Sequence, residues 1–211
     1  NQFDTVERGF SIRTEGPLDM RMNQSQKIDA YMVVNEYEEE ALSNILFNYG
    51  DLRNAKSLAR NIVSARSEKE IESTQDLISV VKALVTKQIE NKILAQLFQA
   101  IRIEVNSELE VLQSFLVQAE AFLNSGGRLV CISYHSLEDR LVKNLMKKGN
   151  FSGKIEKDFF GNPIKKLKGR FFCYFFCFCK SSLSIASPKM AVSHHQNLTY
   201  QQLLRYLVQM V

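Results

Sequence analysis

Apolar residues recur at helical spacing over most of this chain and run continuously from Leu129 to Ile132 between a glycine pair and a polar turn, and that contrast organises it. From about Asp29 to Val85 the periodicity is helical. Within that region Gly50 followed by Asp51 predicts a helix stop and then a cap. The next segment places Ala55, Leu58, Ala59, Ile62 and Val63 on one face. Its opposite side carries Arg53, Lys56 and Arg60. Thr74 is placed to cap a further helix, in which Leu77, Val80, Val81, Leu84 and Val85 repeat the same spacing. Helices this short are unstable singly, so the pattern predicts a small bundle.

A longer helical stretch runs from about Lys92 to Leu123, with Asn106-Ser107 as a break within it. Gly126-Gly127 then ends the helix. Arg128 to Tyr134 reads as a strand buried on both faces, because Leu129, Val130, Cys131 and Ile132 are continuously apolar. Ser136 to Lys147 predicts the next helix, with Leu137, Leu141, Val142 and Leu145 inward. Helix, glycine turn, apolar strand, short polar loop and helix is the grammar of a parallel α/β sheet. Before all this, residues 1–17 are loop-like, punctuated by Asp4, Gly9, Gly16 and Pro17.

Composition changes this picture little. The formal net charge of the 211 residues is +4, compatible with RNA but short of the cationic excess of a non-specific binder. The apolar run Phe171 to Phe178 is about eight residues, against the roughly 20 needed to cross a bilayer, so no membrane helix is expected. The four cysteines form no evenly spaced framework and suit a reduced cytosolic setting. Cys173, Cys177 and Cys179 with His194 and His195 fit no common zinc spacing, and no metal is expected. A serine hydrolase is unsupported too, since the chain has no Gly-x-Ser-x-Gly elbow.

Two short motifs carry candidate chemistry. Ile132-Ser133-Tyr134-His135-Ser136-Leu137-Glu138-Asp139-Arg140 delivers Tyr134, His135 and Ser136 to the carboxyl edge of a parallel strand, where open α/β sheets bind ligands. There His135 reads as an acid/base group, a phosphate contact or simply part of a structural turn. Gly16-Pro17-Leu18-Asp19-Met20-Arg21-Met22 offers a rigid turn followed by a carboxylate and a guanidinium two residues apart. These read either as a structural ion pair or as an acceptor for a base amino group (Asp19) beside a phosphate contact (Arg21). Arg53, Lys56, Arg60 and Arg66 are a solvated helix face or an RNA-facing stripe.

Taken with Gln2-Phe3-Asp4, Glu7-Arg8-Gly9-Phe10-Ser11, Tyr49-Gly50, Ala59-Arg60-Asn61-Ile62-Val63, Phe98 to Asn106 and Gly126-Gly127-Arg128-Leu129, these motifs resemble the bacterial S-adenosylmethionine-dependent 16S rRNA cytosine-N4 methyltransferases from Gln2 to about Pro163. The resemblance implies an α/β fold: a partial Rossmann-like class I methyltransferase domain (1–19 and 93–165) with an inserted helical-bundle domain (20–92) that recognises substrate. Residues 166–211 form an atypical tail, without the family's final sheet strand and expected to pack poorly. The implied activity is methyl transfer from S-adenosylmethionine to the exocyclic N4 amino group of a cytosine in the decoding region of 16S rRNA. The small ribosomal subunit is the implied partner and the cytoplasm the implied setting; the oligomeric state is open, a homodimer included. Carried over by position, Gln2 falls at the cofactor, and near the reacting base the resemblance points to Asp19, Arg21, His135 and Ser136; Asp19 and His135 are the catalytic candidates, and Arg21 and Ser136 join the basic Arg53, Lys56 and Arg60 as candidate RNA contacts. The family's glycine-rich cofactor turn is not in the sequence, which opens at Asn1. The alternative is therefore a truncated, non-catalytic RNA-binding remnant.

Overall fold

Each amphipathic segment becomes a helix, and the caps decide where it begins. The computed structural model describes residues 8–123, 129–154 and the backbone of 175–177, all within the first of two units of the chain, Asn1–Phe178. Helix α1 spans Ala30–Asn35, capped by the Asp29 carboxylate, which accepts the Met32 N–H; α2 spans Glu39–Asn48 and α3 Ala55–Glu68. Helix α4 is Thr74–Lys82, α5 Glu90–Asn106 and α6 Glu108–Phe122. A short strand β1, Cys131–Ser133, leads into α7, Ser136–Lys148, which closes on Gly149 in a left-handed conformation.

The start of α4 differs from expectation by one residue. Ser73, not Thr74, is the cap: its hydroxyl accepts the Asp76 N–H, and the Asp76 carboxylate accepts the Ser73 N–H in return. Thr74 is fully buried and stitches the early loop to the helix, its hydroxyl accepting the Gly16 N–H and donating to the Thr14 carbonyl. The turn after α2 differs as well. Asp51 takes the left-handed conformation (φ 53°) and caps nothing; Asn54 precedes α3. Gly50 is required instead for closeness, since a Cβ there would stand 2.7 Å from the Leu46 carbonyl oxygen and 3.0 Å from that of Gln96.

One large core joins α1 to α5, with α2 packed on α3 and both α1 and α2 on α5. Phe10, Leu18 and Met20 from the early loop enter it alongside Leu42, Leu58, Leu77, Leu97 and Ile101. Each such side chain contributes about 1.5–3 kcal/mol when removed from water. Among the described residues a second core holds Leu116, Val142 and Leu145, flanked by Leu112, Leu129, Cys131, Met146 and Phe151, where α6 meets α7 and β1.

The strand departs from prediction in length and burial. Its even positions face outward, with Val130, Ile132 and Tyr134 exposed, while Ser133 and His135 are buried. A run of apolar residues does not distinguish a strand covered on both faces from one covered on a single face, and here alternation wins. Strand β2, Phe175–Cys177, pairs in parallel with β1, placing Cys131 opposite Phe175. The tail thus contributes a strand where none was expected. Its remaining residues, and with them Cys173, Cys179, His194 and His195, lie outside the described residues, as do Gly126 and Gly127.

Two substitutions check the capping and packing by urea unfolding. Ser73→Ala removes the cap and is expected to cost about 1 kcal/mol; Leu97→Ala, in the middle of the large core, about 2–5 kcal/mol. Ser73 also holds the Asp76 carboxyl below its ordinary range, chiefly through its hydroxyl. That stabilisation is complete above the ordinary Asp range and disappears as pH falls through the lowered value, so Ser73→Ala flattens the acid limb of the stability curve.

Candidate functional site

The two motifs singled out by sequence hang from one joint between α5 and α6. On one side of it the loop from Pro17 to Met22 is held tightly. Gly9 (φ 65°) permits the approach of the preceding segment, for a Cβ there would lie 2.0 Å from the Pro17 carbonyl oxygen. Arg8 Nη2 donates to the carbonyls of Arg21 and Met22, both at 3.1 Å, and the Met20 N–H donates to the Arg8 carbonyl. Met20 is fully buried and left-handed (φ 54°). What fixes it is the Asn106 side chain at the end of α5. Its amide nitrogen donates to the carbonyls of Met20 (2.8 Å) and Arg102 (2.9 Å), and its oxygen accepts the Met22 N–H (2.6 Å).

Within that loop Arg21 and Asp19 meet each other. Arg21 Nε donates to Asp19 Oδ1 at 2.5 Å, and its Nη1 donates to the carbonyls of Gln24 and Gln26. The bond to Asp19 raises the guanidinium's pKa. The pair therefore shapes the loop, and the Asp19 carboxylate keeps its second oxygen, Oδ2, with no described donor.

On the other side of the joint stands His135. Ser107, left-handed at φ 47°, ends α5 and begins α6, so Glu108 is the first residue of α6. Arg102 grips it with two parallel bonds, Nε to Oε1 at 2.7 Å and Nη2 to Oε2 at 3.1 Å. Glu108, His135 and Glu138 bring their ligand atoms within 4.8 Å of one another. That spacing alone would suit a cation. Both Glu108 oxygens, however, already face the Arg102 guanidinium, and His135 Nδ1 accepts the Glu138 N–H (3.5 Å) as the cap of α7. A neutral ring then carries its proton on Nε2, the nitrogen a metal would need. Nε2 lies 3.3 Å from Glu138 Oε1, close enough to pair when charged but without the alignment of a hydrogen bond.

Glu138 is ionised and committed. Burial pushes its carboxyl up, but the His135 side chain and the Tyr134 N–H, which donates to Oε2 at 3.0 Å, together bring it below the ordinary carboxylate range. Ser136, the first residue of α7, is exposed. Arg53, Lys56 and Arg60 are all exposed on or just before α3, Arg60 in a loose 3.6 Å pair with Glu39. Arg66 leaves that stripe: it turns inward and donates to the carbonyls of Val34 and Tyr37. Gln2 lies outside the described residues. A cavity of about 310 Å³ opens beside the joint, lined in part by Phe10, Arg13, Phe98, Gln99 and Arg102.

Sequence reasoning passed over Asn106, Arg102, Glu108 and Glu138 as site residues. One signal could have found the first three: an Arg and a Glu six positions apart across a predicted break, with an Asn at the break itself; Glu138 stands within the motif that runs from Ile132 to Arg140.

Replacing Asn106 by Leu strands buried backbone groups of the Met20 loop, each expected to cost about 1–3 kcal/mol. Asn106→Asp keeps the acceptor for the Met22 N–H and loses the donor, so urea unfolding is expected to rank wild type above Asp and Asp above Leu. Glu138→Gln is expected to remove stability that is present above the ordinary carboxylate range and lost as pH falls through the lowered value, which pH-dependent unfolding measures.

With this geometry in place, relatives are informative. The sequence profile of the MraW methylase family matches residues 1–164. The chain is 56% identical over 172 residues to the ribosomal RNA small subunit methyltransferase H of Christiangramia forsetii, covering 80% of this chain and 57% of that protein. It is 54% identical over 170 residues to the protein of the same name from Flavobacterium johnsoniae (79% and 56%), and 52% identical over 162 residues to that of Bacteroides fragilis (77% and 53%). The chain thus spans a little over half the length of the curated relatives it matches. Among the described residues no helix is long and apolar enough to cross a membrane. The match over residues 1–164, which takes in both motifs and the joint that carries them, places this chain in the MraW methylase family.

Proposed function

We propose that this chain is the substrate-side part of an S-adenosylmethionine-dependent methyltransferase that modifies the exocyclic N4 amino group of a cytosine in the decoding region of 16S rRNA. The observation that carries the reading is the continuous similarity to proteins named for methylating small-subunit rRNA. In this reading residues 1–19 and 93–165 belong to a Rossmann-like class I domain, and 20–92 form an inserted helical domain that grips RNA.

The described residues do not fit the cofactor. A nucleoside cofactor asks for a carboxylate on its ribose and a glycine-rich strand-to-helix turn. At the carboxyl end of β1 the carboxylates of Glu108 and Glu138 are already committed to Arg102, Tyr134 and His135, and the turn Tyr134-His135-Ser136 has no glycine. Gln2 remains the proposed cofactor contact, and no step is derived through the cofactor.

The chemistry proposed for this chain is confined to the base. The lone pair of a cytosine amino nitrogen is delocalised into the ring, and an acceptor for an amino proton returns density to it. Asp19 Oδ2 is the proposed acceptor, its carboxylate oriented by Arg21, with His135 the proposed second group at the base. Holding the amino group in line with a methyl donor supplies much of the rate, since positioning alone reaches several kcal/mol. The base must leave any stack to be reached. Arg53, Lys56, Arg60, Arg21 and Ser136 are the proposed RNA contacts. The exposure of the first three supports that role, whereas Arg21 takes part through the Asp19 loop.

A second reading is a non-catalytic RNA-binding remnant, in which the exposed Arg53, Lys56 and Arg60 serve binding alone. Calorimetry with S-adenosylmethionine, paired with RNA binding to a decoding-region hairpin, decides between them. Cofactor binding by this chain supports catalysis; retained RNA binding without it leaves the remnant. The triple substitution Arg53→Ala, Lys56→Ala, Arg60→Ala is expected to weaken RNA binding uniformly across sequences and to reduce the salt slope by about 1 for each phosphate that is no longer neutralised.

A further inference from the structure

We propose that the Tyr134 ring is a stacking surface for an unpaired nucleobase, an inference that rests on the RNA methyltransferase reading above. Tyr134 follows β1 directly, and its side is open: the residue is 74% exposed while its neighbour His135 is 9% exposed. The carboxyl end of a parallel strand is where open α/β sheets take their ligands. The ring stands on a fixed stem, because the Tyr134 N–H donates to Glu138 Oε2 at 3.0 Å and His135 caps the helix that carries Glu138. Glu138 is thus the positioning residue for Tyr134.

The turn also decides what the ring can meet: Ser133 and His135 are buried on the other side of the chain, so the Tyr134 ring is what this side offers. A nucleobase supplies the matching surface, a π-face. A phosphate is the wrong ligand: Glu138 is ionised, and Glu108, though paired with Arg102, adds a second carboxylate to the same cluster. The base, not the backbone, is therefore the part of an RNA chain that this turn accepts.

The rival explanation is that Tyr134 merely extends an apolar face, since Val130 and Ile132 on the same side of β1 are 43% and 42% exposed. Leucine separates the two, being apolar but unable to stack. The probe is a decoding-region RNA hairpin with one unpaired cytosine replaced by a fluorescent cytosine analogue; anisotropy reads affinity and emission intensity reads stacking. Tyr134→Phe is expected to keep the Kd within about twofold and to retain the quench. Tyr134→Leu is expected to raise the Kd by roughly 5- to 150-fold, the range that base stacking on an aromatic ring represents, and to abolish the quench. A leucine variant that binds and quenches like wild type, or a phenylalanine variant as impaired as leucine, overturns the stacking assignment alone. Failure of the wild-type chain to bind any such hairpin overturns the RNA reading, and the stacking surface with it.

Discussion

The Asn106 carboxamide is the interaction on which the site depends. It closes contacts 84 and 86 residues apart in sequence, to the Met22 N–H and the Met20 carbonyl, while keeping a bond to its own helix at Arg102. A Met in the left-handed region is costly, and a loop that includes one persists only where its surroundings over-determine it. Three bonds from a side chain that is itself buried supply that constraint. Without it the Asp19 and Arg21 pair would still form, as neighbours two residues apart do, but the loop would lose its direct bonds to the end of α5.

Local pattern carried the helices well. The buried face of α3 is the one that periodicity marks, that of α4 is so in part, with Ile78 buried and Leu84 exposed beyond its end at Lys82, and Asn106-Ser107 is the break between α5 and α6. These features are legible because each depends on residues within one or two turns. What was not legible depends on contacts across the chain. Thr74 looks like a cap by type, yet residues 14 and 16 claim its hydroxyl, and Ser73 takes the role. Arg66 looks like a member of a basic stripe, yet two carbonyls near α1 draw it inward. At the site, sequence brought forward Asp19, Arg21 and His135 and missed the residues that hold them, because a positioning residue shows itself only through what it touches.

The two cores are unequal, and the inequality follows the sequence. Residues 10–106 contain nearly every element needed to bury one another, and five helices close on a shared interior. From α6 onward the apolar residues exceed what the described neighbours cover: Val111, Phe115, Val117 and Phe122 are exposed on α6, as are Val130 and Ile132 beside a strand paired on one edge to β2. Parallel sheets are ordinarily covered on both faces. Among the described residues the larger core is therefore that of the helical part.

Ser107 is a mechanical joint. As the single residue between the two helices, closing one and opening the next, it leaves no slack between α5 and α6. The Arg102 fork on Glu108 sits immediately beside it and ties the first turn of α6 to the last turns of α5. Because α6 packs on α7, a small rotation at this pivot would be magnified along a helix of 15 residues and would reach the turn after β1 as a change in tilt. One residue thus sets the geometric relation between the Asp19 loop held at the end of α5 and the turn after β1 reached through α6 and α7.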